Sequence, residues 1–176
     1  IYSMKRKTIG ILLLILTMTM GCSEKTEKVR IVWDNSLILP STAAMSENIG
    51  LAGAFAGFGG MGKLMIAGGA NFPDGYPWED GEKKWWRTLY LLDTLTGNWE
   101  VYEDFLPRET GYGASVQLAE GLLCIGGCDA DGWFTDVSLL KMENGEPVLH
   151  ENIWPDLPYA VTNVSSVLLG DTLYVS

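Results

Sequence analysis

Asn71, Trp78 and Asp129 are the residues best suited to hold a polar ligand: an amide, an indole face and a carboxylate, all set in loops rather than in apolar runs. Asn71 and Trp78 belong to the stretch 63–86, KLMIAGGANFPDGYPWEDGEKKWW, where a short apolar run meets a Gly-Gly pair and then a long loop rich in Pro, Gly, acids and aromatics. Loops of this kind on a rigid scaffold are where binding surfaces are built. The chemistry on offer is hydrogen bonding and stacking. Other roles compete for the same side chains: Asn71 is also suited to holding a turn through its own backbone, and Trp78, Trp85 and Trp86 to packing the loop on itself. His150 is the only histidine and falls in a predicted outer strand, so it is assigned no role. Cys124 and Cys128 form no CxxC pair and have no histidine partner, so no metal site is expected, and four residues apart across a strand end they are poorly placed for a disulfide. Glu79 and Asp80 are neighbours in one loop, whereas a glycoside hydrolase sets two carboxylates roughly 5 to 10 Å apart across the scissile bond.

The elements that position these loops repeat. The run before the Gly-Gly pair returns as LLCIGG at 122–127 and as LYVS at 173–176. Self-similarity at intervals of roughly 50 residues, with several short strands per unit, is the mark of a β-propeller. The spacing predicts one blade over 52–102, with strands at 52–58, 63–67, 88–93 and 98–102. A second blade is predicted over 113–154, with strands at 113–118, 122–125, 136–142 and 147–153, and half a blade over 161–176. The inner strand 52–58 is small and Gly-rich, as expected where blades converge on an axis, and Asn144-Gly145 predicts a type I′ hairpin. Trp33, Trp99 and Trp154 each precede a Leu-Pro pair, which marks an outer strand and the exit to the next blade. The first of these outer strands, 29–34, has no inner strands before it and is expected to close the ring by joining the last blade. Because propellers close with typically four to eight blades, the reading is an all-β, N-terminal fragment of a ring, with residues 29–176 forming a partial propeller.

A net charge of −10 and a pI near 4.4 argue against nucleic-acid partners, which need a basic face. The basic residues Lys5, Arg6 and Lys7 followed by an apolar run at 9–20, too short to span a bilayer, read as an export signal with Met4 as the start. Residues 1–21 are thus upstream residues and signal peptide, Cys22 has the position of a lipid-bearing cysteine, and 22–28 is a polar tether. Thr19 departs from the Leu usual before such a cysteine. The expected location is the bacterial periplasm or outer membrane, with the membrane reached through a lipid anchor only.

The segments AGAFAGFGG, KLMIAGGANFPDGYPWEDGEKKWW, TLYLLD, NWE, LPRETGYGAS and LLCIGG together resemble the cyclically permuted mutarotase family, kelch-type propellers related to the bacterial N-acetylneuraminate epimerases. The resemblance covers about residues 52–176 and is most specific at 67–86. It implies six blades, no cofactor, and interconversion of the anomers of N-acetylneuraminic acid, a sugar acid. It also implies an acid–base pair, which matches no motif in these residues and is expected beyond Ser176. A substrate carboxylate calls for a cation, and Arg108 at the blade junction is the candidate, since a guanidinium fork matches a carboxylate; pairing with neighbouring acids is its competing role. On this reading Asn71, Trp78 and Asp129 line the sugar pocket. The rival class is a non-catalytic kelch propeller, a lipid-anchored module that binds carbohydrate or protein, because fold does not fix chemistry.

Overall fold

The computed structural model describes residues 30–33 and 36–176. The predicted signal peptide, Cys22 and the tether lie outside the described residues. Residues 30–33 are exposed and form no strand. The ends of the closing strand expected at 29–34 lie outside the described residues, and its described part makes no strand ladder, without which an extended segment leaves its backbone groups to solvent.

Short apolar runs bounded by turn residues become strands throughout. The first blade consists of β1 (Phe55–Gly60), β2 (Lys63–Ala67), β5 (Leu89–Asp93) and β6 (Trp99–Tyr102), paired antiparallel in the order β1-β2-β5-β6. Between β2 and β5 the long loop carries a ribbon of its own, β3 (Ala70–Asn71) against β4 (Lys84–Trp85). The second blade is β7 (Ala114–Gln117), β8 (Leu122–Ile125), β9 (Val137–Glu143) and β10 (Glu146–His150), in the mirror listing β10-β9-β8-β7. A hairpin, β11 (Ser166–Leu169) with β12 (Thr172–Val175), begins a third. The fold is the kelch-type propeller, present as two blades and a hairpin. Asn144 and Gly145 both take positive φ, 53° and 91°, as the type I′ turn between β9 and β10 requires.

Blades stack through alternating side chains. Met65, Ala67, Leu89 and Leu91 from the first blade meet Leu122, Cys124 and Leu140 from the second, with Phe55 and Leu106 completing the layer. On the other face of the second blade, Ala114, Val116, Leu123, Ile125 and Val137 meet Leu173 and Val175 of the β11–β12 hairpin and Val164 just before it. All four residues of β8 are buried, alternately in one layer and the other. Cys124 and Cys128 are both buried free thiols, and burial pushes the Cys124 thiol up to about 12.

The Gly-Gly pairs mark where blades are joined. Gly68 and Gly69 have φ of 67° and 93°, and Gly69 N donates to Thr110 O at 2.8 Å as the chain enters the second blade. At the same place one blade later, Gly127 N donates to Val161 O at 2.8 Å. A side chain on Gly68 would collide with the Thr110 carbonyl, so the pair keeps the crossing tight.

Candidate functional site

In the first blade, β1 starts where β2 ends, since Phe55 faces Ala67, and β5 starts where β6 ends, since Leu89 faces Tyr102. The entry to β1, the β2–β5 loop and the exit toward the second blade therefore share one mouth. There a cavity of about 440 Å³ is lined by Ile49, Gly50, Leu51, Ala52, Ala70, Asn71, Phe72, Tyr76 and Tyr112. Small-molecule sites run from roughly 300 to 1,000 Å³ and are mostly apolar with a few polar groups. None of the lining residues carries a carboxylate or an imidazole; the polar side chains on this wall are the Asn71 amide and the phenols of Tyr76 and Tyr112.

Asn71 lies on the cavity wall, and its amide is engaged on both sides. Its Nδ2 donates to Gly50 O at 2.9 Å and approaches Met45 Sδ at 3.1 Å, while Oδ1 accepts from Trp86 Nε1 at 2.8 Å. It ties the segment before β1 to the β3–β4 ribbon. Trp78 lies on the 3-10 turn Pro77–Glu79, is 77% exposed, and stacks on Tyr76 with centroids 4.7 Å apart and planes 10° from parallel. Since Tyr76 lines the cavity, the pair forms an aromatic lip beside it.

Arg108 and Asp129 are not brought to this cavity. Arg108 forms an ion pair with Asp136, and its guanidinium carbon lies 3.9 Å from the Phe134 ring centroid. Arg108 and Asp136 line a separate cleft of about 40 Å³ between the blades. Asp129 Oδ1 accepts from Asp131 N at 2.8 Å and Gly132 N at 2.9 Å, which caps its own loop.

Two residues not singled out from the sequence stand at the mouth instead. Tyr112 takes φ of 61°, a left-handed conformation rare for a bulky side chain. It is held there by its N–H to Gly53 O at 2.7 Å and by its carbonyl, which accepts from Asn163 N at 2.8 Å. Lys83 lies over two rings, its Nζ 4.1 Å from the Tyr112 centroid and 4.8 Å from that of Trp85. The only sequence signal was the GYG context of Tyr112 and the Lys-Lys doublet; neither reveals which groups meet.

A family profile described as N-acetylneuraminate epimerase matches residues 17–148. The N-acetylneuraminate epimerase of Salmonella arizonae is 36% identical over 119 residues, 58% of this chain and 30% of that protein. Its counterpart from Pasteurella multocida is 32% identical over 113 residues, 58% of this chain and 29% of that protein. The chain thus spans about 30% of the length of the curated relatives it matches. The solved structure of YjhT superposes with a TM-score of 0.51 at 29% identity, covering 60% of this chain and 32% of that one. The repeated blades, the loop-end cavity and these matches lead to one conclusion: the chain belongs to the N-acetylneuraminate epimerase family.

Proposed function

We propose that this chain supplies part of the substrate-binding mouth of a mutarotase that interconverts the anomers of N-acetylneuraminic acid. What carries the reading is the 440 Å³ cavity with its aromatic lip, in a chain of this family. Aromatic faces such as Tyr76, Trp78 and Tyr112 offer apolar platforms to the C–H faces of a pyranose; the first two sit on the loop joining β3 to β4, and Tyr112 is held through Gly53 and Asn163. Anomerisation opens the ring when one group takes the proton of the anomeric hydroxyl and another protonates the ring oxygen; after bond rotation the roles reverse. On this reading the wall described here holds the sugar, and the carboxylate or imidazole groups that would move protons lie elsewhere in the protein.

The N-terminal charge and hydropathy pattern supports export, with Cys22 bearing lipid, to the periplasm or outer membrane. Mass spectrometry of the membrane fraction tests this by seeking a diacylglyceryl-modified N-terminal Cys22.

The activity is tested on the protein containing this chain, produced without residues 4–21. NMR of freshly released N-acetylneuraminic acid follows the anomeric equilibration. Equilibration well above the spontaneous rate establishes the mutarotase. A folded protein that binds the sugar without accelerating it would leave a binding module as the account.

A further inference from the structure

We infer that Lys83 is the residue that receives the carboxylate of an acidic sugar at this cavity. The inference rests on the sugar-site reading above and adds to it the group that selects for an acid. The sequence reading sought that cation at Arg108, which is committed to Asp136.

Lys63 is paired with Asp93 and Glu100, Lys84 with Asp74, Arg87 with Asp104, Arg108 with Asp136 and Lys141 with Glu143. Lys83 is the remaining cation of residues 36–176, and among the described residues it has no carboxylate partner. In a chain carrying 22 acidic against 12 basic residues, an unpaired ammonium beside a cavity is conspicuous. The Tyr112 and Trp85 rings hold it by their faces. A ring face attracts a cation without taking its hydrogen bonds in ordinary donor–acceptor geometry, so the ammonium keeps N–H donors for an anion.

Tyr112 is common to the two features: its ring lies under Lys83 and it also lines the cavity. Its place is fixed by the strained backbone and by Gly53, where an added methyl group would come within 2.7 Å of the Tyr112 ring and backbone. Left-handed conformations of bulky residues persist only where the surroundings enforce them. The outcome is a positive point charge held beside an aromatic wall. A compact ammonium asks no planar geometry of its anion, which suits a carboxylate that swings as the sugar ring opens and closes.

The test compares N-acetylneuraminic acid with its carboxamide, which keeps the shape and loses the charge. Affinities are measured by calorimetry for the intact protein, for Lys83→Met and for Lys83→Arg. The expected result is a preference for the acid in the unmodified protein. Lys83→Met should lose about tenfold in affinity for the acid and nothing for the carboxamide, while Lys83→Arg keeps the preference. Carboxamide binding shows that each variant is folded. If the unmodified protein binds both compounds without preference, or Lys83→Met keeps the preference or weakens both equally, the role of Lys83 is overturned and the sugar site stands. If the unmodified protein binds neither compound, the sugar-site reading falls, and the inference with it.

Discussion

Gln117 grips Phe58 by both backbone groups: its Oε1 accepts from Phe58 N at 2.7 Å and its Nε2 donates to Phe58 O at 2.8 Å. Two residues earlier, Ser115 Oγ accepts from Ala56 N at 3.1 Å. The inner edge of the first blade thus finds partners in side chains of the second, at alternate positions as the pleat of β7 dictates. Gln117→Ala should lower stability by about 1 to 2 kcal/mol in urea unfolding. Gln117→Glu should cost more, because its carboxylate would face the carbonyls of Phe58, Leu118 and Gly121, which now accept from Nε2.

Gly53→Ala should damage both the fold and the mouth. The new methyl group would stand 2.7 Å from Tyr112 Cδ1 and from its backbone nitrogen, at a φ of 64°. A fair control is Gly97→Ala, at a φ of 75° with nothing within 4 Å of the added atom. The control should lose about 1 kcal/mol, the usual cost of placing alanine in this conformation, and Gly53→Ala clearly more. Thermal melts of the two variants make the comparison.

Asn71→Ala would leave Trp86 Nε1 and Gly50 O without the partner each now has. The expected loss is about 1 to 3 kcal/mol, seen as a lower urea midpoint and a changed tryptophan emission. A fall in sugar affinity in this variant reports a loosened wall before it reports a lost ligand contact.

Stability should depend on pH through Asp93. The backbone N–H groups of Leu95 and Thr96, and then the Lys63 ammonium, hold its carboxyl below the ordinary carboxylate range. A group with a depressed folded pKa contributes fully above its unfolded value, about 3.9. The contribution is lost as pH falls through the lower folded value. Glu143, held down chiefly by Lys141, acts in the same direction. Asp93→Asn removes the charge and keeps an acceptor for the turn, so its melting temperature should fall less than the unmodified protein's between about pH 5 and pH 2.

What the sequence disclosed follows from how local each feature is. Residues 63–67 and 122–125 were readable to the residue because Gly and polar neighbours bound their apolar runs. The start of β1 was less so: Ala52 only bridges to Ala70, and the regular ladder begins at Phe55. The outer strand of the second blade stops at His150, opposite Leu139, short of the 153 that its composition suggested. The β3–β4 ribbon has two residues on each side, too few to show any period. Which cation stays unpaired is a property of the assembled fold. Lys83 and Lys84 are adjacent in sequence, yet one reaches Asp74 and the other two aromatic rings.

Strand β8 carries a further consequence. Leu122 and Cys124 belong to one apolar layer, Leu123 and Ile125 to the next. Any fluctuation that pulls this strand away wets both layers in a single event, so the adjoining blades have no way to loosen there one at a time. Its amide hydrogens should therefore exchange with deuterated water among the slowest in the chain, only when the largest cooperative unit opens.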